Sequence, residues 1–555
     1  PSPATYRWGK DVKVYRTLAV NDPPASSPTA DELDRTNWAV KRVAISTNGD
    51  FWTNPGIFGE YSSVTSDVTY DMDGKNVDII IHDSGVLQYH PEFLDENGQS
   101  RVSDVVLDGP YYIDPDYFIN NNFTYTKADG RTGITTTSAI NWWQNGASRS
   151  AQFSSIGTIT IPINYNQRNS VGDSLDGSSG LTDGHGTACA ALSAGKNFGL
   201  AFRANIWNMP GIADAVGMGI ETNYDLMKLF HKHKPVNPLT GRKNPTVVNG
   251  SWGYQAAFSS ASTVSYKFRG STGTFTGDAA TTDQVTAMKN GLSNQVSGAY
   301  KSWSSSSRSN STDTAADEMM AEGVIYVAAA GNNNQRLGIG STDVDRLNYM
   351  SDTYFGSTDP RAEFPSGTVP CNHRDWMNPQ GIGFDSETDF HPVICVGAMD
   401  DDIDTTSGEE RKASYSNNGP GIDVWAPADE TLSAGTNGVS AYEDYQRYDD
   451  SRFYDCYFNG TSAAAPVVTG LVALYLQFNP TATSRQVKEW LRNNGSVLLT
   501  SGYQDSQPDD TQTTYWTFSF TMRGAEKRIL FNPFTNNTIP TIEGVSLEGI
   551  SFAQI

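Results

Sequence analysis

The stretch FNGTSAAAPVVTGLVALYL, residues 458–476, turns from a polar start into a long run that is apolar on every side. A helix without a polar face has to be surrounded by protein. The rest of the chain is therefore expected to cover this segment. The run begins at a polar Asn459-Gly460-Thr461-Ser462 turn. A small hydroxyl at a buried helix mouth is either an ordinary N-cap or a positioned nucleophile. For an isolated Ser the cap is the commoner role.

Short apolar runs elsewhere supply the covering. NVDIIIHDSG (76–85), ANIWNMP (204–210), PTVVNGSWG (245–253), GVIYVAAAGN (323–332) and PVICVGAMD (392–400) read as strands. HGTACAALSAG (185–195) reads as a small-residue helix closed by Gly, and DTAADEMMAEG (313–323) as another helix. Strands alternating with helices predict an α/β fold, a mostly parallel sheet with helices on both faces. Functional groups in such sheets gather at the carboxyl ends of strands. Asp83, Asn249 and Asn332 are each expected at such an end.

The expected organisation is an N-terminal extension over 1–75, a core domain over 76–495 and a β-rich C-terminal appendage over 496–555. Two Ser-, Thr- and Asn-rich insertions, 94–180 and 254–320, interrupt the core. The extension, with its NDPPASSPTA turns, reads as a wrap over a surface.

The net charge of −23 argues against sequence-independent binding to nucleic acid or an anionic membrane, which needs basic patches. It suits an extracellular or particle-associated setting better than the cytoplasm. No apolar stretch is expected to reach the roughly 18–20 residues of a spanning helix. No basic segment followed by an apolar one opens the chain, so no signal peptide is expected. The four cysteines, Cys189, Cys371, Cys395 and Cys456, form no CxxC pair. Zinc is not expected, and buried free thiols are preferred to a Cys371–Cys395 bridge.

Three separated segments each offer one member of a nucleophilic triad: Asp83 in HDSGV, His185 in TDGHGTACA, and Ser462. Serine needs an imidazole to take its proton, and the imidazole needs a carboxylate to hold its tautomer. Whole motifs around these residues resemble the subtilisin-like serine protease (subtilase) family. DSGVLQYHPEF (83–93) is similar to its Asp motif, GHGTACAALSAG (184–195) to its His motif and GTSAAAP (460–466) to its Ser motif. GLAFRANIWNMP (199–210), NGSWG (249–253), AAAGN (328–332) and ASYSNNGPGIDVWAPA (413–428) match further core segments in family order. Ala463 stands where the family usually has Met, and Trp252 where a smaller apolar residue is common.

The resemblance implies a subtilisin-like fold and a serine endopeptidase acting on polypeptides. Ser462 would be the nucleophile, His185 the base, Asp83 the orienting carboxylate and Asn332 the oxyanion donor. Ser251, Trp252, Gly253, Ala330 and Gly331 would bind the substrate backbone. No cofactor is required, although calcium is common in the family; the acidic segments 71–78, 95–98 and 399–410 are its candidates, against a default of solvated turns. The metal ligands are not assigned. The alternative is a structural or assembly protein, such as a virion or surface component, that carries the protease domain and associates through its N-terminal extension or C-terminal tail.

His82 is expected to face away from Asp83, and His90-Pro91 to make a turn. His231 and His233 are expected on a solvated face, and Cys189 as a small core residue.

Overall fold

The computed structural model describes residues 38–44, 72–105, 124–126, 132–136, 149–153, 157–161, 184–210, 220–253, 255–258, 263–276, 293–297, 300–306, 310–351, 364–365, 368–377, 379–385, 387–403, 409–436, 444–445, 453–499, 520 and 522–534. Much of the expected N-terminal extension, of both insertions and of the C-terminal tail lies outside them.

The central sheet is built from β1 (Asp78–Asp83), β2 (Val102–Asp104), β3 (Asn205–Pro210), β4 (Thr246–Gly250), β5 (Ile325–Ala329), β6 (Ile394–Ile403), β7 (Glu410–Lys412), β8 (Val424–Pro427), β11 (Ser496–Leu498) and β12 (Arg528–Leu530). Two strands off this sheet, β9 (Thr431–Thr436) and β10 (Phe453–Phe458), pair with each other. The sheet order is β2-β3-β1-β4-β5-β6-β8-β12-β11, with β7 beside β6. Its pairs are parallel except β6/β7 and β11/β12.

The strands lack polar alternation because both faces are covered. Ile79, Ile81, Val247, Ile325, Val327 and Ala329 face α2 (His185–Ala194) and α5 (Thr461–Phe478). Ile80, Val248, Tyr326 and Ala328 face α3 (Ile220–His233) and α4 (Asn310–Ala321) on the other side. This is the α/β architecture expected from the sequence.

Helix α5 lies across β4, β5, β6 and β8 and against α2. It has 18 residues and is apolar enough to cross a membrane by length and composition, contrary to the expectation that no stretch would be. It is, however, 89% buried inside the protein. Its apolar surface is therefore already spent on the core. The amphipathic helix α6 (Ser484–Asn493) follows and starts with a capping box between Thr483 and Gln486.

The first and last described segments, 38–44 and 522–534, meet on this core. Within the segment expected as an N-terminal extension, α1 (Trp38–Val43) buries Trp38 completely and pairs Arg42 with the buried Glu410. The Asn532 amide donates to the Val43 carbonyl at 2.6 Å. Within the segment expected as a C-terminal appendage, β11 and β12 extend the central sheet, because Ile529 and Leu530 bury against it. Likewise β2, inside the first expected insertion, forms the opposite edge.

Candidate active site

Asp83 ends β1, and His185 opens α2. The His185 Nδ1 lies 2.7 Å from Asp83 Oδ1, which also accepts the Ser84 amide at 2.7 Å. Two more bonds stitch the strand turn to the helix start: Gly186 N to Ser84 Oγ at 3.1 Å, and Leu87 N to Thr187 Oγ1 at 2.9 Å. Gly186 has no room for a side chain, since a Cβ there would stand 2.3 Å from the Gly85 carbonyl oxygen. That close approach is what brings the imidazole onto the carboxylate.

Burial works against a charged His185, but the Asp83 carboxylate outweighs it and holds the imidazole pKa well above its ordinary value. The ring stands edge-on to Phe458, and Cys189 Sγ lies 3.8 Å from Nδ1. Burial, with Asp83 adding to it, pushes the Cys189 thiol up to about 11, so it stays protonated. All four cysteines are buried thiols with no disulfide between them.

Ser462 is the second residue of α5 and is 9% exposed. Its hydroxyl donates to the Ser251 carbonyl at 3.2 Å, while the Ser251 hydroxyl donates to the Ser462 carbonyl at 3.0 Å. The cause is Pro466 inside the helix. Proline has no N–H, so the Ser462 carbonyl loses its i+4 helical donor. Ser251, with Cys189 Sγ at 3.6 Å, fills the place. Asn249 holds Ser251 in turn, donating to its Oγ at 3.0 Å and accepting from Thr469 Oγ1 at 3.2 Å.

Asn332 follows β5 and is exposed. Its Oδ1 accepts the Thr461 amide at 2.8 Å and the Thr461 hydroxyl at 2.7 Å. This turns Nδ2 toward Gly460, where a Cβ would come within 3.1 Å of it. Gly460 also adopts φ +100°, a backbone region that side chains resist. The Gly460 amide donates to Tyr415 Oη at 2.9 Å.

Of the expected substrate-binding residues, Ser251 is buried, Trp252 half-buried and Gly253 exposed. Gly331 is partly exposed, and its amide donates to Thr461 Oγ1 at 3.0 Å. Ala330 departs from expectation. It is fully buried, its amide donates to Val396 O at 2.9 Å, and its carbonyl accepts Asn417 Nδ2 at 2.7 Å. With both backbone groups engaged inside the protein, it is a support rather than a contact surface.

His82 is buried and points away from Asp83, as expected, toward Tyr326 Oη at 3.4 Å and Asn223 Nδ2 at 3.2 Å. Trp252 packs edge-on against its ring. Burial lowers the His82 pKa to about 3 despite the adjacent Asp83, so it stays neutral. His90 caps the turn before Phe93, its Nδ1 accepting the Glu92 amide. The solvated-face reading of His231 needs correction: its Nδ1 lies 2.8 Å from Thr246 Oγ1 and burial drops its pKa to about 3. The acidic segment 71–78 is likewise no solvated turn at Asp78, which is buried with Lys234 at 2.8 Å. Asp95 does make an exposed turn, accepting the Asn97 and Gln99 amides.

Asp400 and Asp401, from the acidic segment 399–410, come together with Asp429, their carboxylate oxygens within 4.8 Å of one another. All-oxygen donors suit calcium, which takes about 6–8 of them. Here Arg411 Nε already holds Asp400 Oδ2 at 2.7 Å.

Thr461, Ser84, Thr187 and Asn417 also belong to the site, beyond the residues expected from the motifs. Thr461 and Thr187 adjoin Ser462 and Gly186, and that adjacency was the available signal; Asn417 carries none by itself.

A family model described as "Subtilase family" matches residues 74–520. Serine protease AprX of Bacillus subtilis is 35% identical over 140 residues, 23% of this chain and 30% of that protein. An extracellular protease of Xanthomonas campestris is 39% identical over 108 residues, 19% of this chain and 17% of that protein. The matches thus span about a third or less of these curated relatives. Among solved structures, a cold adapted subtilisin-like serine proteinase aligns over 90% of this chain and 98% of its own, at 15% identity and a TM-score of 0.41.

Proposed function

The chain belongs to the subtilase family, and from that premise we propose that it is a serine endopeptidase whose triad is Asp83, His185 and Ser462. The observation that carries the reading is the 2.7 Å contact of His185 Nδ1 with the buried Asp83, made beside the mouth of the Ser462 helix.

With Nδ1 engaged by Asp83, Nε2 serves as the base. The Ser462 hydroxyl leaves the Ser251 carbonyl by rotating about its Cα–Cβ bond and gives its proton to Nε2 as Oγ attacks the peptide carbonyl. The resulting oxyanion takes hydrogen bonds from Asn332 Nδ2 and the Ser462 amide. The positive end of α5 adds a favourable potential there. The imidazolium then protonates the leaving amine, and water hydrolyses the acyl-enzyme by the reverse sequence of proton transfers. The substrate backbone pairs along Ser251–Gly253 by β-augmentation, which reads main chain more than side chains.

A polypeptide is the partner that this reaction requires. An extracellular setting agrees with the net charge and with the extracellular protease among the relatives. The assembly alternative is not favoured: β11 and β12, from the tail proposed to bind partners, pair within the chain's own sheet.

A fluorophosphonate probe tests the reading. The folded chain should form one adduct, located by peptide mass on Ser462 and lost in His185→Ala. A folded chain that forms no adduct would overturn it.

A further inference from the structure

Behind Asn332 lies a buried lysine that the reaction does not use. Lys412, at the end of β7, is fully buried. Its Nζ donates to Asn334 Oδ1 at 3.0 Å and to the carbonyls of Ala413, Ser414 and Ser416 at 3.1, 3.3 and 3.0 Å. These are four oxygens, none from a carboxylate. Among charged groups, Arg523 opposes an ammonium there, and Asp400, itself paired with Arg411, favours it. Burial chiefly, and Arg523 next, push its pKa well below the ordinary lysine value. A buried ammonium is costly unless its hydrogen bonds are fully met. Here they are met by neutral oxygens that converge as they would on a small metal cation.

Those oxygens belong to the two segments that frame Asn332. The turn 413–418, gathered on Lys412, grips the loop 330–335 from both sides. Asn417 accepts the Asn333 and Gln335 amides at 3.2 and 2.8 Å and donates to Ala330 O. The Asn334 amide donates to Tyr415 O at 2.7 Å, and Asn418 Nδ2 joins Lys412 on Asn334 Oδ1 at 2.9 Å. Asn334 is buried in the left-handed region, at φ +49°.

We propose that Lys412 is a positioning residue for the oxyanion site: its Nζ hydrogen bonds lock the 413–418 turn onto the 330–335 loop and so fix where Asn332 presents its amide. It touches neither substrate nor Ser462. Removing it would let the loop shift, and a displacement on the order of 1 Å at a reacting centre costs up to about 10²-fold in rate.

This inference rests on Asn332 being the oxyanion donor, and a double-mutant cycle separates the two claims. Lys412→Met, Asn332→Ala and the double variant of the full chain are assayed on a chromogenic peptide anilide. Lys412→Met should lower kcat about tenfold or more with KM within about twofold, yet cost less than about threefold in the Asn332→Ala background. A merely structural role would instead give the same loss in both backgrounds. Equal losses, or an unchanged kcat in folded Lys412→Met, would overturn the proposal. Should Lys412→Met fail to fold, Asn334→Gly keeps the left-handed backbone and removes the side-chain oxygen on Nζ. The same cycle is then run with it, and the same outcomes decide. An Asn332→Ala chain with wild-type kcat would sink the oxyanion reading itself.

Discussion

Ser251 and Ser462 exchange hydrogen bonds, each hydroxyl donating to the other's carbonyl, at 3.0 and 3.2 Å. One bond restrains the proposed nucleophile; the other repairs the helix at the point where Pro466 removes a donor. Ser251→Ala should therefore weaken the fold by about 1–2 kcal/mol in a denaturant titration, the usual cost of a buried acceptor left short. Pro466→Ala returns an N–H to the helix. In the Ser251→Ala background it should recover part of that loss, and strict additivity of the two losses would count against the repair.

The pH dependence follows from Asp83. A base must be neutral to accept a proton, and Asp83 holds the proton on His185 above the ordinary value of 6.5. The acidic limb of kcat/KM in the free enzyme should consequently lie above pH 6.5. For stability the sign is opposite. A raised folded pKa stabilises fully below the unfolded pKa, and the contribution is lost as pH rises through the folded value. Asp83→Asn should remove this pH-dependent stabilisation and lower kcat by roughly 10⁴, as expected for a mis-set tautomer. Rate–pH profiles and melts at several pH values measure both.

Thr461 and Asn332 can be separated by substitution. Asn332→Ala should cost about 10²–10³ in kcat with little change in KM. Thr461→Val leaves the amide donor in place and removes the hydroxyl, both its brace on Asn332 Oδ1 and its acceptance of the Gly331 amide. Its kcat should fall less, by about tenfold, since orientation rather than the donor is lost. A larger loss for Thr461→Val than for Asn332→Ala would reverse this order of roles.

Gly186→Ala places a methyl where the Gly85 carbonyl stands. Overpacking of this kind costs about 1–3 kcal/mol, and the strain falls directly on the Asp83–His185 contact. The variant should melt earlier and lose activity even where it is fully folded. A native melting temperature would show that the backbone yields more easily than this packing implies.

Thiol titration gives a further check. The four buried cysteines should react with a thiol reagent only after unfolding, in a stoichiometry of four per chain. Fewer than four in guanidinium would reveal a bridge.

How much of this could be read in advance depended on distance along the chain. Asp83, His185 and Ser462 each sit in a contiguous motif, and the unalternating Ile79–Ile81 run announced a strand covered on both faces. The buried state of Ala330 was not legible, because its partners, Val396 and Asn417, come from other elements. Nor was the pairing of β11 and β12 with the sheet, since a three-residue strand carries little periodic signal. His231 looked solvated in the charged run FHKHK. Its burial is decided by Thr246 on the neighbouring strand, 15 residues further on.

Ser462 and Ser251 are 211 residues apart in sequence, and α5 is the surface on which four of the parallel strands lie. During synthesis those strands emerge well before the helix that covers them. The proposed triad therefore cannot close on a growing chain until α5 has left the ribosome. Non-local closure of this kind makes folding slow. On the proposed function, it also delays assembly of the triad until eight of the ten described strands of the central sheet have been made.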